Sequence, residues 1–445
     1  MLFLPITRIE SAQASPHSLE LRLDQFPSID LDLIRSFLQR APQPTLLTLR
    51  KSSQGGNFTG TEYEREVLIE KLLALRPPFF DLEYDMRPDF IRAMIEKHPT
   101  TQFILSYHNF EAVPPDLERI YRSMQRYPVF CYKIAAMVRS TNEALKLLLF
   151  AKTDTNVSAI CMGKDGSFAR VLGPVVGNLL GYACLDTPTA PGQLPVQELT
   201  DIYHYPSLNR ETAIYGLIGD PVEKSPGHLH HNAVFRKRGL NAVYVKMRVT
   251  PEELSEFIPL AKAIGVRGLS VTIPLKEKIL PFLDEVDSRV GAINTLLFDQ
   301  GRIRGTNTDG RGALDAVEKK MAVRGKKVVL LGAGGAARGI AFEASARGAE
   351  VLVLNRTVQR AIELGYNAGG LDEVPPQYDI LINCSPDPMP IDPQKIRPKT
   401  IAMDVVYSPR ETEFLKEALA RECQIVYGEE MYLNQAALQT KFWVG

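Results

Sequence analysis

The chain has 445 residues, 45% hydrophobic and 23% charged, and its 52 basic and 52 acidic side chains cancel to a formal net charge of zero. That length is too great for one hydrophobic core and predicts two or three domains. A chain without a basic field does not hold nucleic acid or anionic lipid by charge, so small-molecule substrates are expected, with no nucleic-acid and no membrane partner. The cysteines, Cys131, Cys161, Cys184, Cys384 and Cys423, form no C-x-x-C pair, as expected of reduced thiols in the cytoplasm. No His/Cys group has zinc-site spacing, so no metal is expected, and His228, His230 and His231 are read as a solvated turn near a helix start. The apolar run within residues 1–10 is too short for a signal-peptide core or a membrane span, and no other stretch is long enough to span. The expected location is cytoplasmic; nothing in the sequence sets the oligomeric state.

In chain order, strands are predicted at Phe3–Ile6, Ser18–Asp24, Thr45–Arg50, Phe79–Tyr84, Thr101–Tyr107, Val129–Ala135, Val157–Met162 and Leu180–Leu185. Most are followed by helix-like segments such as Tyr63–Leu75 and Asn142–Thr153. Eight such units over residues 1–208 point to a parallel (β/α)8 barrel, whose active site gathers polar residues from the C-terminal strand ends. Those positions hold Glu20, Arg22, Arg50, Glu83, His108 and Lys133.

Tyr203–Glu211 lacks periodicity and reads as a linker. A new strand, Ala213–Gly219, opens a second half that alternates βαβ units to about residue 310. Helix Gly312–Met321 then leads into strands Lys326–Leu331, Val351–Asn355, Ile380–Asn383 and Ile401–Val405, a parallel nucleotide-binding pattern, before a last helix at Tyr432–Phe442. The expected architecture is α/β throughout. A barrel (1–208) precedes a substrate lobe (213–311), a Rossmann lobe (312–431) and a C-terminal helix (432–445) that returns to the substrate lobe.

Gly332-Ala333-Gly334-Gly335-Ala336-Ala337 directly follows a strand and opens a helix, fitting G-x-G-x-x-A. Such a turn lets a pyrophosphate approach the backbone and meet the helix N-terminus. The next strand ends Asn355-Arg356-Thr357, with no carboxylate for a ribose 2′-hydroxyl. Arg356 pairs instead with a 2′-phosphate, and Thr357 adds a hydroxyl, so NADP (NADPH) is the expected cofactor. Upstream, Val271-Thr272-Ile273-Pro274-Leu275-Lys276, Gly291-Ala292-Ile293-Asn294-Thr295 and Asn307-Thr308-Asp309-Gly310 supply an amine, an amide and a carboxylate. A lysine beside an aspartate moves a proton to or from a hydroxyl during reduction of the neighbouring carbon.

With Asn434-Gln435-Ala436-Ala437, these motifs make residues 213–445 resemble shikimate dehydrogenase. The resemblance implies Lys276 and Asp309 as the catalytic pair. It also implies substrate contacts from Ser225, Thr272, Asn294, Tyr407 and Gln435, and places Val405, Tyr407 and Gly428 near the nicotinamide. One stretch departs. The family's H-S-x-S-P loop holds the substrate carboxylate with two serines, whereas Val222-Glu223-Lys224-Ser225-Pro226 is shorter and keeps only Ser225. Either Lys224 assists or the carboxylate is held by a rearranged set. Ser270 replaces a frequent asparagine.

In the first half, Phe130-Cys131-Tyr132-Lys133-Ile134-Ala135 sets a lysine inside an apolar strand. Desolvation there favours the neutral amine, which suits imine formation with a ketone. His108, in Ser106-Tyr107-His108-Asn109-Phe110, ends the neighbouring strand and is placed to serve the same bound atom. Glu20-Leu21-Arg22-Leu23-Asp24, Leu49-Arg50, Phe168-Ala169-Arg170 and Thr189-Ala190-Pro191-Gly192-Gln193 complete a resemblance to type I 3-dehydroquinate dehydratase over residues 1–205. It implies that Lys133 forms the imine and His108 removes the C2 proton, while Glu20, Arg22, Arg50, Arg170, Thr189 and Gln193 hold hydroxyls and carboxylate. Gln54-Gly55-Gly56 stands where the family often has E-G-G, so the group beside His108 accepts a hydrogen bond but brings no charge.

The expected function is therefore two consecutive reactions, dehydration of 3-dehydroquinate and NADPH-dependent reduction of 3-dehydroshikimate to shikimate. Two other readings compete. A ligand sensor with dead sites has no need to keep Lys133, His108, Lys276, Asp309 and the glycine turn together. An NAD-linked quinate/shikimate oxidoreductase is opposed by Arg356.

Overall fold

The computed structural model describes residues 1–9, 17–185, 187–286 and 290–445. Backbone ladders form three sheets. The first comprises β1 (Leu2–Ile6), β2 (Ser18–Arg22), β3 (Thr45–Thr48), β4 (Phe79–Glu83), β5 (Gln102–Asn109), β6 (Cys131–Met137), β7 (Val157–Met162) and β8 (Gly181–Tyr182). Its order is β7-β6-β5-β4-β3-β2-β1-β8, with each pairing parallel. Eight parallel strands interleaved with helices give the expected barrel. The connection between β1 and β2, expected to be short, falls partly at residues 10–16, outside the described residues.

The barrel differs from expectation at its seam. Two-residue β8 ladders only with β1. Across the gap to β7, Asn178 receives the Ala159 N–H on Oδ1 at 3.2 Å and donates Nδ2 to the Ala159 carbonyl at 2.8 Å. Leu180 N donates to Ser158 Oγ at 3.0 Å. A side-chain amide has the donor and acceptor of a peptide unit, and here it stands in for one.

Strand alternation explains what the barrel encloses. Phe3, Leu46, Phe79, Ile104, Cys131, Ala135 and Ile160 pack together as an interior layer. Residues two or four along the same strands must point the same way: Thr48 from Leu46, Asp81 and Glu83 from Phe79, Ser106 and His108 from Ile104, and Lys133 between Cys131 and Ala135. Ile69, Leu72 and Leu73 of helix Glu62–Leu73 are buried, and that helix starts with a Thr61/Glu64 capping box read directly from T-E-Y-E.

The second sheet holds β9 (Ala213–Gly219), β10 (Ala242–Arg248), β11 (Val266–Val271), β12 (Glu285–Val286), β13 (Thr295–Asp299) and β14 (Arg302–Thr306), in the order β10-β9-β11-β13-β14-β12. The expected run of βαβ units breaks here. β11/β13 and β13/β14 are antiparallel. Gln300-Gly301, with φ 47° and 80°, forms the two-residue hairpin turn that the periodicity reading passed over.

The third sheet, β15 (Lys327–Leu331), β16 (Glu350–Leu354), β17 (Asn367–Gly369), β18 (Ile380–Asn383), β19 (Ile401–Asp404) and β20 (Gln424–Val426), is parallel throughout in the order β17-β16-β15-β18-β19-β20. This is the doubly wound nucleotide-binding order. Val328 and Leu330 join one core layer, Val329 and Leu331 the other, so both faces are covered and the strands read as continuous apolar runs. The helix expected at Gly312 starts earlier, at Asp309, and ends at Val317; the last helix spans Gly428–Val444. That last helix is tied to the second sheet by Ser270 Oγ to Gln439 Oε1 (2.9 Å), Gln439 Nε2 to Asn294 O (3.0 Å) and Trp443 Nε1 to Leu296 O (2.9 Å).

The segment read as a linker is packed, with Tyr203 and Tyr205 buried and a short turn at Tyr205–Ser207. Two compact units result, one of residues 1–214, 232–249 and 256–265, the other of 215–231, 250–255 and 266–445. Among the described residues, no helix is long and apolar enough to cross a membrane.

Candidate active sites

The barrel's interior layer opens at the C-terminal strand ends into a cavity of about 60 Å³. Glu20, Arg22, Arg50, Gln54, His108, Lys133, Arg170, Thr189 and Gln193 all line it, so every barrel site residue expected from the sequence is brought to one place. Glu83 is the exception among the strand-end residues. It sits outside the lining, ion-paired to Arg65 and, at 3.5 Å, to Arg50.

Lys133 Nζ lies 3.1 Å from Asp81 Oδ2 and 4.3 Å from the centroid of the Tyr182 ring. Asp81 also accepts from Arg50 Nη2 at 2.9 Å and Ser106 Oγ at 2.6 Å. Burial would push the Asp81 carboxyl up, but Arg50 and Lys133 outweigh it and hold the carboxyl below its usual range. Asp81, Ser106 and Tyr182 were not singled out from the sequence. Asp81 gave a signal, a lone acid in the apolar run Phe79-Phe80-Asp81-Leu82, which only an inward partner would retain.

His108 is held by its own strand and by Gln54, whose Oε1 is 3.1 Å from both His108 N and Nδ1. Arg50 Nη1 also approaches Nδ1, at 3.2 Å. The backbone N–H fixes Oε1 as the amide atom facing the ring. Nδ1 therefore either donates to Gln54, leaving Nε2 as a proton acceptor, or accepts from Arg50, leaving Nε2 a donor. Burial, then Arg50, Lys133 and Arg22, lowers the ring well below its ordinary value, so it is neutral near pH 7 and competent as a base.

Arg22 forms a two-pronged pair with Asp24 (3.0 and 2.9 Å), and Glu20 Oε1 accepts from Thr48 Oγ1 at 2.8 Å. Gln193 Oε1 gathers Thr189 N (2.7 Å), Thr189 Oγ1 (3.1 Å) and Ala190 N (3.2 Å) into a tight loop. Gly192 is required in that loop. Its φ is +74°, and a Cβ would lie 2.2 Å from the Gly163 carbonyl. Arg170 gives Nη2 to Pro191 O at 2.9 Å, while its buried Nε has no partner among the described residues. Burial pushes this guanidinium down to about 10. Together with the buried, unpartnered Tyr182 Oη, it offers donors to an anionic, hydroxylated ligand.

In the second unit, Thr272 directly follows β11, Lys276 lies on the short helical turn Leu275–Lys278, and Asp309 is the first residue of its helix, where the helix dipole favours a carboxylate. Lys276 Nζ is 2.6 Å from Asp309 Oδ2, and Asn294 Nδ2 is 2.8 Å from Asp309 Oδ1. Asn294 Oδ1 is occupied by Thr295 Oγ1 and Thr308 N, both 2.8 Å away, which orients the amide. Gln435 Oε1 joins at 3.4 Å from Asn294 Nδ2. Such a set holds substrate oxygens and passes a proton between Lys276 and a carbonyl or hydroxyl oxygen.

A cavity of about 590 Å³ adjoins Lys276 and Thr272, lined by Gly332, Ala333, Gly334, Gly335, Ala336, Asn355 and Arg356. The chain fits a phosphorylated dinucleotide here. Gly332 takes φ +114°, a Cβ on Gly334 would meet open space, and Gly334 caps the Gly335–Ala346 helix without a side-chain bond, leaving N–H groups free for phosphate. Arg356 is joined on the wall by Arg360, one turn into the next helix, which sequence reading missed despite its basic spacing. Thr357 caps that helix rather than lining the cavity.

Val405 packs against the sheet core and Gly428 allows close approach of the Val406 carbonyl; neither lines the cavity. Ser225 Oγ accepts from Gly227 N at 3.2 Å, and Lys224 is exposed. The histidines expected in a turn lie instead within helix Gly227–Lys237, with His231 buried against Trp443.

Comparison with known proteins points to the same two families. The type I 3-dehydroquinase family matches residues 5–210, and the shikimate dehydrogenase substrate binding domain matches residues 217–296. The shikimate biosynthesis protein AroDE of Chlamydia pneumoniae is 34% identical over 442 residues, 96% of this chain and 89% of that protein. The chloroplastic bifunctional 3-dehydroquinate dehydratase/shikimate dehydrogenase of Arabidopsis thaliana is 31% identical, across 96% of this chain and 77% of that one. A crystal structure of shikimate 5-dehydrogenase from Thermus thermophilus, in complex with NADP(H) and shikimate, superposes with a TM-score of 0.50 and 33% identity over 53% of this chain and 94% of that chain. With a family match on each half and such relatives along nearly its whole length, the chain belongs to the bifunctional type I 3-dehydroquinate dehydratase/shikimate dehydrogenase family.

Proposed function

We propose the residues that carry the two reactions. The observation behind the assignment is convergence: eight of the residues named above line one barrel cavity with Lys133, and Asp309, Asn294 and Gln435 gather around Lys276. In the dehydratase, Lys133 Nζ attacks the ketone of 3-dehydroquinate and loses water to form an imine. The cationic imine acidifies the adjacent carbon, whose proton His108 Nε2 takes. The electrons return through the enamine as hydroxide leaves, protonated by the histidine, and hydrolysis frees 3-dehydroshikimate. Asp81 holds the amine, and Arg170, Thr189 and Gln193 receive the carboxylate and hydroxyls with Glu20, Arg22 and Arg50.

In the dehydrogenase, Thr272, Asn294 and Gln435 orient the ring of 3-dehydroshikimate, and the Lys276/Asp309 pair delivers a proton to the carbonyl oxygen as it is reduced. NADPH supplies the reducing electrons when bound. Gly332, Ala333, Gly334, Gly335 and Ala336 would take its pyrophosphate and Arg356 with Arg360 its 2′-phosphate, while Val405 and Gly428, expected near the nicotinamide, lie off that cavity. The functional limits are placed at 1–208, 213–311, 312–431 and 432–445, in a cytoplasmic enzyme acting on small molecules and not on nucleic acid.

The test is one cuvette holding the purified chain, 3-dehydroquinate and NADPH. Loss of NADPH absorbance without added dehydratase is expected. Absorbance loss only when 3-dehydroshikimate is supplied would remove the first activity, and none with either substrate would remove the second.

A further inference from the structure

One substrate group in the reductase site has a single loop hydroxyl to meet it. The Lys276–Asp309–Asn294–Gln435 set contains a carboxylate of its own and suits hydroxyl and carbonyl oxygens. A second carboxylate, the one the substrate carries, needs donors elsewhere. The Val222–Pro226 loop offers the Ser225 hydroxyl. Its oxygen accepts from Gly227 N at 3.2 Å, which leaves its proton to give.

Tyr432 is linked to this loop through His230. It lies one helical turn before Gln435 on the Gly428–Val444 helix, so the two share a face. Its ring centroid is 5.4 Å from that of Tyr407 and 5.8 Å from that of His230. His230 N donates to the Pro226 carbonyl at 3.1 Å, the residue next to Ser225. The tyrosine is thus connected on one side to the serine loop and on the other to the substrate cluster. Its Oη is buried and has no hydrogen-bond partner among the described residues. A buried hydroxyl without an acceptor is disfavoured, and a ligand oxygen is the partner that would complete it. Burial, with Tyr407 adjacent, pushes the phenol up, so it remains a donor at neutral pH.

We propose that Tyr432 is a substrate-binding residue of the reductase: its Oη donates a hydrogen bond to the substrate carboxylate beside Ser225 Oγ, doing the work of the second hydroxyl that the shortened loop lacks. The inference rests on the reductase reading above. It makes specificity for an acid depend on a phenol fixed between two rings, not on a second loop side chain.

Tyr432→Phe in the full chain, assayed with shikimate and NADP+ and in parallel with shikimate methyl ester, tests it. The KM for shikimate should rise on the order of 10- to 100-fold, the loss of one hydrogen bond to a charged group. The kcat, the KM for NADP+ and the dehydratase activity should stay within about twofold, and the ester should lose less than about threefold. The melting temperature should be unchanged or higher, because an unpartnered hydroxyl has gone. Ser225→Ala should show the same contrast between acid and ester. An unchanged shikimate KM in Tyr432→Phe, or an equal loss with acid and ester, overturns the assignment while leaving the reductase intact. A wild-type chain that does not oxidise shikimate overturns the reductase reading and this inference with it.

Discussion

The two lysines proposed to carry the reactions are chemically the same side chain placed in opposite settings. Lys133 sits inside a strand, its side chain 7% exposed, between a carboxylate and the face of an aromatic ring, with its cavity closed on the strand side by Asp81, Ser106 and Arg50. Lys276 sits on a single helical turn after a strand, 18% exposed, facing one carboxylate at the edge of a cavity large enough for a dinucleotide. A nucleophile must keep one geometry through bond making and breaking, which a strand flanked on both sides by ladders provides. A proton donor needs only reach one oxygen, and a short turn suffices. Backbone anchorage, more than side-chain identity, separates the lysine proposed as covalent from the one proposed as non-covalent.

The sharpest way to break this comparison is to remove each lysine in turn. Lys133→Ala should lower dehydratase kcat by about 10⁴-fold or more, and borohydride with 3-dehydroquinate should no longer add mass to that peptide. The reductase should be untouched, and its joint loss would show that the sites are not independent. Lys276→Met should lower reductase kcat by roughly 10²- to 10⁴-fold, the range of a lost general acid, with no borohydride adduct at that site in the wild type. Arg356→Ala comes next: the Kd for NADPH should rise on the order of 10- to 100-fold while that for NADH stays put. Equal effects on the two would remove the 2′-phosphate role.

A smaller effect concerns pH. With His108 held well below 6.5, the acid limb of dehydratase kcat/KM should lie under that value. Gln54→Glu should move the limb upward by about one pH unit, since a carboxylate 3.1 Å from Nδ1 favours the imidazolium. The folded ring binds a proton less readily than the unfolded one. Its contribution to stability is therefore present above about pH 6.5 and is lost as pH falls below that towards the lowered value.

The reacting groups were legible in the sequence because each lies in a short motif: Lys133 alone in an apolar strand, the glycine turn between strand and helix, Arg356 at a strand end. Residues whose meaning depends on other strands were not. Asp81 is recognisable as Lys133's partner only when β4 and β6 face one interior, and Arg360 becomes a candidate cofactor residue only once it lines the same cavity as Arg356. Periodicity could not separate a βαβ run from the β13/β14 hairpin, because both read as apolar segments between turns. Tyr432 carried no signal at all in sequence, since an aromatic residue in a helix is ordinarily core.

The Asn178 amide that bridges β7 to the β8 segment has a consequence for how the barrel opens. Among the described residues, closure here runs through the Asn178 amide, the Ser158 hydroxyl and the single backbone bond from Gly163 N to Pro191 O at 3.3 Å rather than a ladder of peptide bonds, so this is where the cylinder is expected to open first. Amide hydrogens of Ala159 and Leu180 should exchange with solvent ahead of those at the β5/β6 ladder. Because Tyr182 and the Thr189–Gln193 loop follow directly from this seam, fluctuations that admit deuterium there also loosen one wall of the dehydratase cavity. The barrel closes like a cuff, and its clasp lies beside the cavity that Tyr182, Thr189 and Gln193 line.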